Sequence, residues 1–354
     1  MTQVAPSTTS MPVTDAVFAR SLPKVELHCH LEGAVRPATV AELAGSHGVP
    51  LPVDDPTELF RFSNLAEFLD VFSLICSVLR TADDFRRITY EALADAAAVG
   101  VRYREMFFSP GFLLGYGVAV DTIWHGIRAG LADAHADLDI RCRMILDVDK
   151  AAPPAAAVEL VEFAARQDRD LLVGIGGDNT ERGIDHRSFT PAFELAGRHG
   201  LRRTMHAGED GPSDNIAIAL DDLGCERIDH GVRLGDDPDL LARVAAERIP
   251  LTVCPISNVV LTGTVRSVAA HPLVHQRAAG VLVTLNSDDP GMSGTTIADD
   301  YEQVADAFGY DVTTMAQIAL DGVEACWAPD DEKRALDGRF RAEIATLVPG
   351  WEAS

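Results

Sequence analysis

Apolar runs of strand length alternate with longer amphipathic stretches along most of this 354-residue chain. The longer stretches repeat their apolar positions with the period of an α-helix. Eight apolar runs are predicted to be strands: residues 25–31, 103–108, 141–148, 171–177, 203–207, 227–230, 250–254 and 281–286. Because strands that alternate with helices pair in parallel through right-handed crossovers, the pattern predicts an α/β fold.

Eight such strands in one chain favour a closed (β/α)8 barrel of the TIM type over an open sheet. An open doubly wound sheet usually has a glycine-rich phosphate loop after its first strand, and here that place holds His28-Cys29-His30. Residues 64–80 predict a helical insertion after the first strand, where it would cap the barrel mouth, and extra helices follow residue 299. We expect residues 1–20 to be a flexible tail and residues 21–354 to be one barrel domain.

Composition and charge argue against several classes of function. The formal net charge of −24 disfavours nucleic acid or an anionic membrane surface as a partner. No apolar run approaches the roughly 20 residues that span a bilayer. The six cysteines are scattered without a C-x-x-C pair, so we expect free thiols and a cytoplasmic protein.

Polar residues collect where the predicted strands end, which is where barrel enzymes build their active sites. Alternation along the first strand points the rings of His28 and His30 to the same face, where they can share a metal ion. Three histidines and an aspartate at these ends suit one zinc ion. Four segments carry these groups: His28-Cys29-His30, His206-Ala207-Gly208-Glu209, Asp229-His230-Gly231 and Ser287-Asp288-Asp289-Pro290.

Each segment also has a structural interpretation. Buried, hydrogen-bonded core histidines would explain the first, Glu209 could cap a helix, and Ser287–Pro290 could be a helix-capping turn. His230 could orient or deprotonate a metal-activated water, but it could also be a further ligand. Glu209, held away from the metal, could keep a proton and act as a general acid. The other seven histidines, His271 among them, are predicted to be surface or packing residues.

These motifs, in this order, resemble the adenosine/adenine deaminase family of metal-dependent amidohydrolases. The matching stretches are residues 23–33, 205–210, 227–233, 251–258 and 284–290. The resemblance implies one zinc ion per chain, held by four ligands with a water completing the site. The implied ligands are His28, His30, His206 and Asp288.

The resemblance also implies a role for each remaining group. His230 orients and deprotonates the water, and Asp288 accepts a hydrogen bond from it. Glu209 protonates N1 of a 6-aminopurine, so that water adds at C6 and ammonia leaves. Asp289 hydrogen-bonds at N7 and the backbone N–H of Gly177 at N3, while Glu32 and His30 border the substrate.

Sequence features disagree on whether the purine substrate carries a sugar at N9. Glu32 stands where adenosine deaminases usually have aspartate, and in this the chain is similar to adenine deaminases. Residues 228–233 and 249–259 also look closer to the adenine branch, whereas Phe108-Ser109-Pro110 looks like the nucleoside branch. The predicted substrate is a 6-aminopurine nucleoside, such as adenosine or a 5′-modified adenosine like aminodeoxyfutalosine, and the alternative is adenine.

Two more distant alternatives remain from the residues themselves. A metal-dependent phosphoester hydrolase would need a lysine or further carboxylates to bridge a second metal, and residues 174–178 contain no lysine. An inactive, deaminase-like binding protein is disfavoured because every expected catalytic side chain is present. The sequence therefore predicts a hydrolytic enzyme with a small purine substrate.

Overall fold

The computed structural model describes residues 15–53, 55–62, 65–348 and 351. All strand pairs among these residues are parallel, with β1–β5 in one sheet and β6–β9 in a second. The strands are β1 Lys24–Glu26, β2 Val101–Phe108, β3 Arg141–Asp149, β4 Leu172–Asp178, β5 Arg202–Arg203, β6 His206–Ala207, β7 Ile228–His230, β8 Leu251–Val253 and β9 Val283–Leu285.

Backbone hydrogen bonds join the two sheets into one ring. β5 and β6 are two pieces of one predicted strand, and between them Thr204 N donates to Ile175 O at 3.1 Å. On the opposite side of the ring, Asp288 N donates to His28 O at 3.1 Å, and His30 N donates to Asp288 O at 2.8 Å. The described strands thus close as eight, and the predicted (β/α)8 barrel is confirmed.

Helices connect the strands and follow the last one. The α-helices are α1 Asp15–Ser21, α2 Pro37–His47, α3 Leu65–Val78, α4 Ala82–Ala98, α5 Pro110–Leu114, α6 Val120–Asp137, α7 Pro154–Ala165, α8 Thr190–Arg198, α9 Asp214–Asp221, α10 Pro238–Ala246, α11 Pro255–Val260, α12 Leu273–Ala278, α13 Pro290–Ser293, α14 Ile297–Phe308, α15 Val312–Ala325 and α16 Asp330–Leu347. Pro110 and Pro255 each begin a helix two residues after a strand ends, and Pro290 begins one after the Ser287–Asp289 segment that follows β9. Proline suits the first helical position because its missing N–H needs no partner there.

The insertion predicted over residues 64–80 is present as helix α3, Leu65–Val78, and residue 64 lies outside the described residues; helix α2 precedes it and was not predicted. Phe72 of α3 packs edge-on against Phe112 of α5, with ring centroids 5.1 Å apart. Both rings line the pocket in the barrel mouth. The insertion therefore covers the mouth, as expected from the sequence.

Residues 15–20 of the tail predicted over residues 1–20 belong to a helix, and residues 1–14 lie outside the described residues. Asp15–Ser21 forms helix α1, in which Phe18 and Ala19 are buried. Arg20 pairs with Asp299 and with Glu302 of α14, the latter at 2.8 Å. Apolar burial and these two ion pairs outweigh the entropy that a free tail would keep.

A buried ion pair and an aromatic ring stabilise the barrel interior below the mouth. Arg227 Nη1 lies 2.5 Å from Glu105 Oε2, both side chains being wholly buried. The Arg227 guanidinium also lies over the Trp327 ring, 3.8 Å from its centroid. Above them, Phe107 stacks on His30 with centroids 5.1 Å apart. The site therefore lies above a tightly packed barrel interior.

Two further expectations concern the whole chain. All six cysteines are buried and none forms a disulfide, as their scattered spacing predicted. Within the described part of the chain, no helix combines the length and the apolar character needed to cross a bilayer.

Candidate active site

The predicted metal ligands and His230 meet at the carboxyl ends of the strands. His28, His206, His230 and Asp288 each offer one ligand atom, and these atoms lie within 4.8 Å of one another. His30 Nε2 lies 3.2 Å from His206 Nε2 and 3.3 Å from Asp288 Oδ1. All five side chains are buried.

Two of these residues have an unusual backbone conformation. His230 and Asp288 have φ angles of 63° and 64°, in the left-handed region that favours glycine. Gly231, which follows His230, has a φ of 64° as well. A non-glycine residue there costs on the order of 1–3 kcal/mol, and such strain concentrates at functional sites. The sharp turns end the strands while the side chains stay in the barrel mouth.

The groups behind His28 determine which of its ring nitrogens carries the proton. Thr252 Oγ1 donates its single proton to Asp229 Oδ1 at 2.8 Å, so it accepts from His28 Nδ1 at 3.0 Å. His28 Nε2 therefore carries a lone pair. This buried atom makes no hydrogen bond to any described residue, although it lies 3.1 Å from Asp288 Oδ1.

Carboxylates stand behind the other two candidate ligands. His30 Nδ1 faces Asp147 Oδ2 at 3.5 Å, and His206 Nδ1 faces Asp229 Oδ2 at 3.7 Å. A carboxylate at Nδ1 keeps the proton there, as it does behind metal-bound histidines. The Nε2 atoms of His30 and His206, 3.2 Å apart, therefore direct lone pairs at the same point.

This arrangement fits a zinc ion. Two converging imidazole lone pairs and a carboxylate repel one another unless a cation lies between them. Ligands about 2.0–2.1 Å from a tetrahedral ion lie about 3.3 Å from each other. The separations of 3.1–3.3 Å among the Nε2 atoms and Asp288 Oδ1 match that spacing. Three imidazoles and a carboxylate are also a donor set that zinc accepts.

The pKa values of two carboxyl groups at the candidate metal position, Glu209 and Asp288, are shifted in opposite directions. Burial, together with the Asp288 carboxylate, raises the pKa of Glu209 well above its usual range. Burial also acts to raise the pKa of Asp288, but His28 and His230 outweigh it and hold that pKa well below its usual range. Two carboxyl groups with such opposite shifts can serve one site as a proton donor, here Glu209, and as an ionised acceptor, here Asp288.

Glu209 is held in place by side chains and by its own backbone. Asn258 Nδ2 donates to Glu209 Oε1 at 3.1 Å, and His230 Nε2 lies 3.5 Å from Oε2. The Glu181 carboxylate accepts backbone N–H groups from residues 208, 209, 210 and 211 at 2.9, 2.7, 3.2 and 3.2 Å. The buried Glu181 side chain therefore fixes the backbone of the loop that carries Glu209.

The pocket beside these groups has an aromatic wall and a polar floor. Phe68 and Phe72 of α3 and Phe112 of α5 form the wall, and such rings suit a flat ligand. The predicted contacts His30 and Asp289 both line it. The polar lining residues are His30, Asp178, Asn179, Thr180, His206, Glu209, Asp210, His230, Thr262, Asp288 and Asp289.

Two predicted substrate contacts lie behind the pocket surface. Glu32 is wholly buried, and its Oε1 accepts from Ser109 N at 3.1 Å. Gly177 lies within β4, where an added Cβ would be 2.6 Å from Met205 Sδ. The next residue, Asp178, does line the pocket, and Ser109 Oγ donates to it at 2.6 Å. Burial raises the pKa of Glu32 to about 7 and that of Asp178 to about 6.

Comparison with known proteins agrees with this geometry. The sequence profile of the family described as adenosine deaminase matches residues 23–342. The chain belongs to the adenosine deaminase family. It is 39% identical over 326 residues to an adenine deaminase of Streptomyces coelicolor, and the match covers 91% of this chain and 95% of that protein. The family resemblance and a metal-dependent deaminase activity, both predicted from the sequence, are confirmed.

Solved structures of related proteins share the fold. An adenine deaminase from Arthrobacter aurescens superposes with a TM-score of 0.87 at 35% identity, covering 92% of this chain and 99% of that one. An amidohydrolase from Burkholderia ambifaria, solved with bound zinc, superposes with a TM-score of 0.88 at 32% identity, covering 96% of each chain. The adenosine deaminase fold therefore extends over nearly the whole chain.

Several supporting residues of this adenosine deaminase family member were not predicted. Asp229 lies inside a motif that the sequence singled out, but only its neighbour His230 received a role. Asp147 lies two residues after Ile145 on the inward face of β3, and this alternation is the signal that could have revealed it. Glu181 lies in the loop after β4 and Asn258 in the short helix α11, and a strand-and-helix pattern does not predict which side chains these segments place beside the site.

The hydroxyl behind His28 gives a test of the metal site. Thr252→Val removes the acceptor of His28 Nδ1 and the donor to Asp229 at nearly constant shape. We expect metal affinity to fall about 10- to 100-fold, the usual effect of losing a partner behind a ligand, as measured by competition with a chromogenic chelator. Thr284→Val, at a buried threonine whose hydroxyl donates to Leu251 O in the neighbouring strand, is the matched control. Equal affinities in both variants would contradict the assigned role of Thr252.

Proposed function

We propose that this deaminase acts on free adenine and converts it to hypoxanthine with release of ammonia. Both the Streptomyces coelicolor relative and the Arthrobacter aurescens structure are described as adenine deaminases. Their similarity supports adenine, the alternative substrate from the sequence, over the nucleoside that the sequence placed first.

The observation that carries the proposal is a buried carboxyl pair on the His30 side of the pocket. Glu32 Oε2 and Asp178 Oδ1 are buried and make no hydrogen bond within the described residues. If adenine binds with N3 at the end of β4, its N9–H points towards this pair and can donate to it. A nucleoside has no hydrogen at N9, and its sugar would need the space that Glu32 and Ser109 occupy.

His28, His30, His206 and Asp288 would hold the zinc ion of this reaction. When bound, zinc supplies a Lewis acid that makes water nucleophilic near neutral pH. Apolar walls from α3 and α5 exclude bulk water, which strengthens each polar interaction inside the pocket.

The chain's own carboxyl groups divide the proton transfers. Glu209, protonated by its burial, would donate to N1 and so make C6 electrophilic. Asp288, ionised, would accept a hydrogen bond from the attacking water. Asp289, whose Oδ1 makes no hydrogen bond within the described residues, would contact N7 and hold the purine with one face of C6 towards the attacking water.

A panel of purines tests the proposal directly. Deamination is followed by ultraviolet absorbance with adenine, adenosine, 2′-deoxyadenosine, 5′-modified adenosines and aminodeoxyfutalosine. We expect kcat/KM for adenine to exceed that for each nucleoside by at least about 100-fold, because a site built for an N–H strongly rejects an analogue without it. A higher kcat/KM for any nucleoside would overturn the proposal.

Replacing Glu209, the proposed acid, shows whether this residue donates a proton or binds the metal. We expect Glu209→Gln to lower kcat on adenine by about 10²- to 10⁴-fold, because glutamine cannot deliver a proton to N1. Metal content should stay at the wild-type value. Glu247→Gln, at a glutamate whose side chain is 52% exposed on α10's end, is the control. Loss of metal from Glu209→Gln would instead identify Glu209 as a ligand.

Shortening Glu32 tests how the N9 side is recognised. Above pH 7, where Glu32 is ionised, Glu32→Ala should reduce kcat/KM for adenine about 10- to 100-fold, since a hydrogen bond to a charged group contributes roughly 1.5–3 kcal/mol. The space it opens should raise adenosine turnover relative to adenine by at least about tenfold. Glu194→Ala, on the exposed face of α8, is the control. An unchanged ratio would mean that the N9 side is recognised by other residues.

A further inference from the structure

His230 differs from the other three histidines of the site in the group behind its Nδ1. Nδ1 of His28 donates to the Thr252 hydroxyl, and Nδ1 of His30 and of His206 face the carboxyl groups of Asp147 and Asp229 at 3.5 and 3.7 Å. His230 Nδ1 instead lies 3.2 Å from Asn258 Nδ2. An amide side chain presents a donor or an acceptor according to its orientation, so the orientation of Asn258 determines the tautomer of His230.

His271 fixes that orientation. The backbone N–H of Leu273 donates to His271 Nδ1 at 3.1 Å, so the ring carries its proton on Nε2. His271 Nε2 lies 3.2 Å from Asn258 Oδ1 and donates to it. Burial lowers the pKa of His271 to about 4, which keeps the ring neutral. Because a backbone N–H can only donate, the direction of each later hydrogen bond follows from this first one.

With its oxygen directed at His271, Asn258 turns its NH₂ group towards the catalytic residues. It donates to Glu209 Oε1 at 3.1 Å and to His230 Nδ1 at 3.2 Å. His230 Nδ1 therefore carries a lone pair, and Nε2 carries the proton. This Nε2–H faces Glu209 Oε2 at 3.5 Å and Asp288 Oδ2 at 4.0 Å.

We propose that His271 is a positioning residue that, through Asn258, fixes the tautomer of His230 and the orientation of Glu209. If the proposed reaction is the one catalysed, His230 is then a hydrogen-bond donor to the oxygen that adds at C6. A nitrogen that carries a proton neither binds a metal nor accepts a proton from water. His230 is then neither the further ligand nor the base that the sequence left open, although it still orients the water, and the Asp288 carboxylate is the group left to take the water's proton.

The tautomer can be measured without any turnover. Two-bond ¹H–¹⁵N correlation spectra of the zinc-loaded protein with ¹⁵N-labelled histidine distinguish protonated from unprotonated ring nitrogens. His230 is assigned by the signals that disappear in His230→Gln. We expect a proton on its Nε2 and none on its Nδ1. A proton on Nδ1 in the wild-type protein would overturn the proposal, whatever the activity.

Two substitutions of His271 test its control over the site. His271→Met removes the donor to Asn258 and keeps most of the volume, whereas His271→Gln keeps an N–H near the position of Nε2. We expect kcat on adenine to fall about 10- to 100-fold in the methionine variant, the cost of misplacing catalytic groups by about 1 Å. KM and metal content should change less than about twofold. The glutamine variant should recover most of kcat.

His135→Met is the matched control, because His135 also accepts a backbone N–H, that of Cys142, but lies far from the site on α6. Wild-type kcat and an unchanged His230 tautomer in His271→Met would show the proposal to be wrong. If instead adenine is not the substrate, the wild-type protein fails to turn it over while the tautomer spectrum stays as expected. The two failures are therefore distinguishable.

Discussion

The approach of His30 Nε2 and His206 Nε2, 3.2 Å apart in a buried site with the Asp288 carboxylate beside them, constrains the rest of the structure. Without a cation these lone pairs repel, so the barrel must hold them together by interactions from behind. The Thr252 hydroxyl accepts a hydrogen bond from His28 Nδ1, and Asp147 and Asp229 face the Nδ1 atoms of His30 and His206. The same groups leave every candidate ligand nitrogen with its lone pair directed inward.

The protons of the site follow from what each polar group meets. Carboxylates behind the ligand histidines give one tautomer, and the Asn258 amide behind His230 gives the other. Burial raises the pKa of Glu209, while the nearby histidines lower that of Asp288. In the proposed mechanism a set of similar side chains thereby divides into ligands, an acid, an acceptor and a hydrogen-bond donor. Bringing these side chains together requires strained, left-handed backbone conformations at His230 and Asp288.

The barrel and the ring of site residues were predictable because both follow from local pattern. Apolar runs gave the strands, and His28, His30, His206 and Asp288 each stand where such a run ends. The hydrogen bond between His271 and Asn258 was not predictable, since it joins a short helix to a residue 13 positions away with no periodic signal. The burial of Glu32 depends on the course of the Ser109 turn, and helix α1 depends on ion pairs with residues about 280 positions away in the chain.

The most direct test of this account is the metal content of the purified enzyme, read together with the effect of removing the metal. Elemental analysis should give about one zinc per chain, since one set of three imidazoles and a carboxylate binds a single ion. Thorough chelation should abolish deamination, and added zinc should restore it. Two metals per site, or full activity in the metal-free protein, would contradict the central claim that these ligands converge on one required cation.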